Sequence, residues 1–184
     1  MIRLFRYLCL LCGLASVLSC SDDAEQAYAH YPAFFRFTPV TAVHSLNAAL
    51  NNMGEFCTIS IEPKFFVFTD RRGHSVRQPR TALDQYGQPE CISGFVVGTP
   101  STPDMNMNIQ PLAFDTACPA CYENDMKRAT MQFDQKILNA MKCPRCHRVY
   151  DMSIQGSVIE GDPGPRMYWY RSVQYANNTL IIRN

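Results

Sequence analysis

The sequence predicts an all-β sandwich or barrel, and three observations carry that expectation. Apolar residues recur at every second position in short runs, those runs are bounded by Pro, Gly or Asp, and a double Asn separates two apolar runs close to residue 184. Period-two alternation is what a strand with one buried face requires, because successive side chains point to opposite faces of a sheet. The composition suits a folded domain: 47% of the 184 residues are hydrophobic and 18% charged, which excludes disordered, collagen-like and coiled-coil chains. A formal net charge of +1 gives no electrostatic ground for nucleic acid as the main partner.

Taken in order, Phe35, Phe37, Cys57, Ile59, Ile61, Phe66 and Phe68 mark the first strands. Between them Thr41–Met53 reads as a short helix with Val43, Leu46, Ala49 and Leu50 on one face. Asp70–Gln88 carries Arg71, Arg72, His74, Arg77 and Arg80 with few apolar residues, and reads as an exposed loop. Ser93–Gly98 and Gln110–Phe114 are two further strands joined by a Pro/Asn/Met-rich loop. Val149–Met152, Ser157–Ile159, Met167–Tyr175 and Leu180–Ile182 continue the pattern, interrupted by the Glu160–Pro165 loop. Asn177-Asn178 signals a tight hairpin, since Asn tolerates positive φ.

The first twenty residues read as an address. Arg3 and Arg6 precede the apolar run Tyr7–Leu18, which is too short to cross a bilayer. Val17-Leu18-Ser19-Cys20, followed by Ser21-Asp22-Asp23, resembles the lipobox of bacterial lipoproteins, and that resemblance implies a leader over 1–19 and a lipid on Cys20. Residues 20–32 then form the lipidated N-terminus and tether, and 33–184 the β domain, with a metal-binding part at about 115–165. The chain is expected at the bacterial cell envelope, on the periplasmic face or the cell surface, with the membrane as its partner through the lipid. Removing the leader leaves 15 basic and 16 acidic residues, which further argues against nucleic acid.

Six of the nine cysteines fall in the domain. Four form two Cys-Pro-x-Cys units, Cys118–Cys121 and Cys143–Cys146, separated by 21 residues. Two Cys three apart across a tight turn aim both sulfurs at one point, and amides of the turn hydrogen-bond the thiolates. Two such turns supply a tetrahedral set of four thiolates suited to Zn²⁺, a single Fe, or an iron–sulfur cluster. Disulfides are the alternative in an oxidising compartment. Cys57 and Cys91 stand alone, as buried free thiols or as a mutual disulfide, the export signal favouring the latter. His147, beside the second unit, and Tyr150 are candidates to touch the ligands rather than to ligate.

The C-terminal half, about residues 90–184, resembles Rieske iron–sulfur domains. The matching text is PLAFDTACPAC, then CPRCHRVYDMSIQGSVIEGDPGPRMYWYRSVQYANNTLIIRN, with Tyr150-Asp151, Gly156–Val158, the Gly161–Pro165 loop and the closing strands in family order. The resemblance implies a Rieske-like β fold with the metal held at one tip by two loops. The ligands depart from the family pattern. A Rieske cluster takes two His on one iron, whereas Cys121 lies three residues after Cys118 and Cys146 stands in the second His position. The set is closer to the zinc-ribbon or rubredoxin arrangement, with an all-thiolate [2Fe–2S] cluster as the other option.

Together these readings give a membrane-anchored, non-enzymatic lipoprotein holding one metal centre, either structural Zn²⁺ or [2Fe–2S], through Cys118, Cys121, Cys143 and Cys146. The rival is an iron–sulfur electron carrier or a thiol oxidoreductase acting on an envelope redox partner. A Rieske-type oxygenase needs a mononuclear iron site of two His and a carboxylate, and the four histidines His30, His44, His74 and His147 are scattered. No G-x-S-x-G or H-E-x-x-H occurs to support a hydrolase.

Overall fold

In the computed structural model, which describes residues 28–103 and 107–184, the alternating runs become strands of three antiparallel sheets. The expected leader and Cys20, the expected site of the lipid, lie outside the described residues. Among the described residues no helix is long and apolar enough to cross a membrane.

The largest sheet takes β2 (Glu55–Ile61), β3 (Phe65–Asp70), β4 (Ser75–Pro79), β5 (Phe95–Thr99) and β6 (Leu112–Asp115), in the order β4-β3-β2-β5-β6. A second sheet joins β1 (Phe34–Phe37) to the last hairpin, β11 (Ser172–Ala176) and β12 (Thr179–Arg183). The third is made of four short strands, β7 (Gln132–Phe133), β8 (Ala140–Lys142), β9 (Val149–Asp151) and β10 (Ser157–Glu160). The turn between β11 and β12 is Asn177-Asn178, with φ of 49° and 59°, the doubly left-handed geometry that matches the twist of a two-residue hairpin.

One face of the five-stranded sheet meets the second sheet and the helix His44–Asn51. Phe35 and Phe37 of β1 stack against Phe66, Phe68 and Phe95, with ring centroids 4.7–6.3 Å apart. Leu46, Ala49 and Leu50 of the helix close this core, as the face read from the sequence requires. The opposite face of β2, β5 and β6 supplies Phe56, Val96 and Phe114 to a second core shared with the third sheet. Both faces of β5 are therefore buried, and Phe95–Thr99 is buried at every position.

The structure departs from the sequence expectations in three places. The basic stretch after Asp70 is not all loop: a turn at Arg71–His74 leads into β4, an edge strand whose residues are mostly exposed. With no buried face it has no apolar alternation to read, and its charges suit an edge that must not pair further. Cys57 and Cys91 are both free thiols. Cys57 lies within β2, opposite Val97, whereas Cys91 lies ahead of β5, outside any strand. Ala29, inside the stretch expected as tether, is buried against the domain and donates its amide to the Trp169 carbonyl at 2.8 Å.

Gly98 sits opposite Phe56 between β5 and β2, and a Cβ there would collide with the Glu55 carbonyl and the Phe56 ring. We expect Gly98→Ala to lower the urea midpoint by an amount equivalent to about 1–3 kcal/mol, with an unchanged transition slope. A variant as stable as the parent would show that Phe56 is not packed over this position.

Candidate metal centre

β6 ends at Asp115, and three residues later Cys118 caps the helix Pro119–Asp125. Pro119 occupies the first helical position, where its missing amide costs no hydrogen bond. Cys121 follows one helical turn after Cys118, which brings both side chains to the same face. The helix stops at Met126, in the left-handed region at φ 52°, whose amide returns to the carbonyls of Cys121 and Tyr122. The loop is pinned by Cys118 N–H to the Ala129 carbonyl at 2.8 Å and by Met131 N–H to the Thr116 carbonyl at 2.7 Å.

The second unit is the turn between β8 and β9. Cys143 N–H bonds the Arg148 carbonyl at 3.0 Å and His147 N–H the Cys143 carbonyl at 3.1 Å. The amides of Arg145 and Cys146 donate to the Cys143 sulfur at 3.4 and 3.5 Å. His147 takes φ 61°, the left-handed step that lets the chain leave the turn. Its role is in the backbone: the side chain is exposed, and among the described residues no hydrogen bond from its ring to a sulfur is seen. Tyr150 does touch the site, with its hydroxyl 3.4 Å from the Cys118 sulfur.

The four sulfurs converge as the spacing predicts. All lie within 4.8 Å of one another, in a cluster able to hold a metal ion. Sulfurs from opposite units approach closely, Cys118 to Cys146 at 3.5 Å and Cys121 to Cys143 at 3.8 Å, and none is in a disulfide. Cys118, Cys121 and Cys143 are buried, and Cys146 is partly exposed.

The protein environment resists ionising Cys118 and Cys121. Burial pushes the Cys118 thiol up to about 11, against the opposing pull of hydrogen bonds from Tyr150 and the Cys121 backbone. Cys121 is raised further, by burial first and then by the neighbouring sulfurs. Cys146 goes the other way: burial pushes it up, but hydrogen bonds from the Arg148 backbone and side chain, with those of Cys118 and Cys143, hold it down at about 7. Four sulfurs that cannot all carry charge alone are what a cation would complete, since coordination deprotonates a thiol outright.

Sequence reasoning missed the group that positions the first unit. Asp115 is fully buried, and its carboxylate accepts from Ile92 N–H at 2.7 Å, Ser93 N–H at 3.1 Å, Ala117 N–H at 2.7 Å and the Tyr170 hydroxyl at 2.6 Å. Burial raises its pKa, and these four donors pull the other way. The available signal was a lone Asp closing the apolar run Leu112–Phe114, a position that a buried acid holds only with partners. Cys57 and Cys91 stand apart from the cluster, each raised by burial to about 12, and so are inert as nucleophiles.

No protein-family model matches this chain, and no curated protein matches it.

The Tyr150 hydroxyl bears directly on a sulfur. We expect Tyr150→Phe to weaken metal binding about 10–100-fold in competition with a chromophoric chelator, the usual cost of losing such a partner. An unchanged affinity would make Tyr150 a packing residue only.

Proposed function

We propose that this protein is a lipid-anchored module of the bacterial envelope. Its β domain, Rieske-like in the order of its C-terminal features, holds a single Zn²⁺ through Cys118, Cys121, Cys143 and Cys146. The metal locks the third sheet to the five-stranded sheet and takes no part in catalysis.

The observation that carries this reading is the compactness of the cluster. Four thiolates around one ion with bonds of about 2.3 Å define a tetrahedron with edges of about 3.8 Å, and the cross-unit pairs here stand at 3.5 and 3.8 Å. A [2Fe–2S] cluster divides its thiolates between two irons, which places sulfurs on opposite irons roughly one and a half times as far apart. The span of 4.8 Å favours one ion. The amides that point at Cys143 and the hydroxyl at Cys118 supply hydrogen bonds that thiolates need.

A thiol oxidoreductase needs a CxxC thiol of depressed pKa with an accessible partner; burial raises both thiols of the Cys118–Cys121 unit, and Cys146, the one held down, has its partner Cys143 buried. An electron carrier with iron in the same ligand set is the second reading. Its support is Cys146, whose partial exposure would offer a redox partner in the envelope a short path to the metal.

The test is metal analysis with an absorption spectrum on the full chain, expressed in a bacterial host and purified without reductant or chelator. We expect a colourless protein with zinc equimolar to chain, and loss of that zinc in Cys118→Ser and Cys146→Ser. Visible bands with iron equimolar to chain would favour the second reading. Twice that iron together with labile sulfide would restore the [2Fe–2S] option. A protein without metal or free thiols would sink the metal reading, and an unmodified Cys20 by mass spectrometry would remove the anchor.

A further inference from the structure

The described chain begins on a distinctive face. Tyr28 stacks on Trp169 with centroids 4.8 Å apart, and the Arg171 guanidinium lies 5.3 Å from the Tyr28 ring centre. This entry point is fixed: besides the Ala29 amide bond, the Asn184 side chain donates to the carbonyls of Ala29 and Tyr31. The two rings border a groove of about 400 Å³ whose other walls include Pro100, Pro103 and Pro111. Among the described residues Arg171 is its one charged lining residue. Asn108 and Gln110 line the same groove, and beside them Met107 is 80% and Ile109 39% exposed.

We propose that this face rests on the headgroup–acyl boundary of the membrane that holds the lipid on Cys20. The proposal depends on that lipidation, put forward above. Its main support is reach: seven residues lie between Cys20 and Tyr28, so even a fully extended linker spans at most about 29 Å over its eight steps. The domain is held with its entry face towards the bilayer. That face carries the chemistry of the boundary: Tyr and Trp rings with an apolar body and a polar tip, one Arg to meet lipid phosphate, and exposed Met107 and Ile109 to enter the acyl edge.

Trp169 is the single tryptophan of the chain, so its emission reports on this face alone. The experiment reconstitutes the full-length protein into phosphatidylethanolamine–phosphatidylglycerol vesicles, with and without bromine on the acyl chains, and reads the Cys20 lipid by mass spectrometry. We expect brominated chains to quench about half of the Trp169 emission. The double variant Met107→Asp, Ile109→Asp should lose most of that quenching while its circular dichroism and Cys20 lipid stay unchanged. Lipid on Cys20 with equal emission in both vesicles would overturn the docking alone. So would quenching indifferent to the double variant. No lipid on Cys20 would overturn the anchor and the docking with it.

Discussion

The four-cysteine cluster depends on a carboxylate that is not part of it. Asp115 is buried where an uncompensated charge would cost several kcal/mol. It is compensated by donors from three separate segments: Ile92 and Ser93 before β5, Ala117 at the entry to the first cysteine unit, and Tyr170 ahead of the last hairpin. Hydrogen bonds to a charged group contribute about 1.5–3 kcal/mol each. The arrangement matters more for placement than for stability, because it sets where the chain leaves β6, and Cys118 follows three residues on. Buried Thr116 lies between them, its hydroxyl without a hydrogen-bond partner but its backbone fully used, with N–H to Gly94 and C=O from Met131. The first cysteine unit is thus aimed by the five-stranded sheet.

The second unit is aimed by the opposite wall of the same core. Phe56, Val96 and Phe114 on the outer face of the five-stranded sheet pack with Met141 and Tyr150 of the third sheet and with Met131 and Met152 beside its strands, and Cys118, Cys121 and Cys143 belong to this cluster. The strands of the third sheet are only two to four residues long, so little ladder bonding holds them. Their registration comes from this small core and from the four sulfurs. A metal across the two units would act as a crosslink between sheets at the point where apolar burial is thinnest, the circumstance in which small folds rely on structural metal.

How much of this was legible follows from what each feature needs. Two CPxC units need only local turns and one shared core to meet, so their spacing announced the cluster. Asn177-Asn178 declared its hairpin because both residues must adopt positive φ. The helix over Val43, Leu46, Ala49 and Leu50 showed because it buries one face. β4 did not show, having no buried face, and β7 and β8 are too short to alternate. The helix at Pro119 was hidden because its seven residues are read equally well as a turn. Long-range facts were the least accessible. That Cys57 and Cys91 stay unpaired and that Asp115 meets Tyr170 both follow from topology, which is not encoded in local sequence.

The charge balance of the cluster explains the residues around it that do not ligate. Four thiolates carry two more negative charges than a divalent cation supplies, and the surplus must be spread in a mostly buried site. The second unit does this with amides from Arg145 and Cys146 on the Cys143 sulfur, and with Arg148 beside Cys146. Arg145 is then drawn across to Asp125 at the end of the first unit's helix, at 2.6 Å, so that the two units are also joined at the surface. The first unit has fewer donors, and Tyr150 serves it from the opposite strand. The asymmetry agrees with the thiols themselves: Cys146 sits low and Cys118 high. Arg148 thus lies beside Cys146 on the partly exposed side of the cluster, and the Tyr150 hydroxyl beside Cys118 on its buried side.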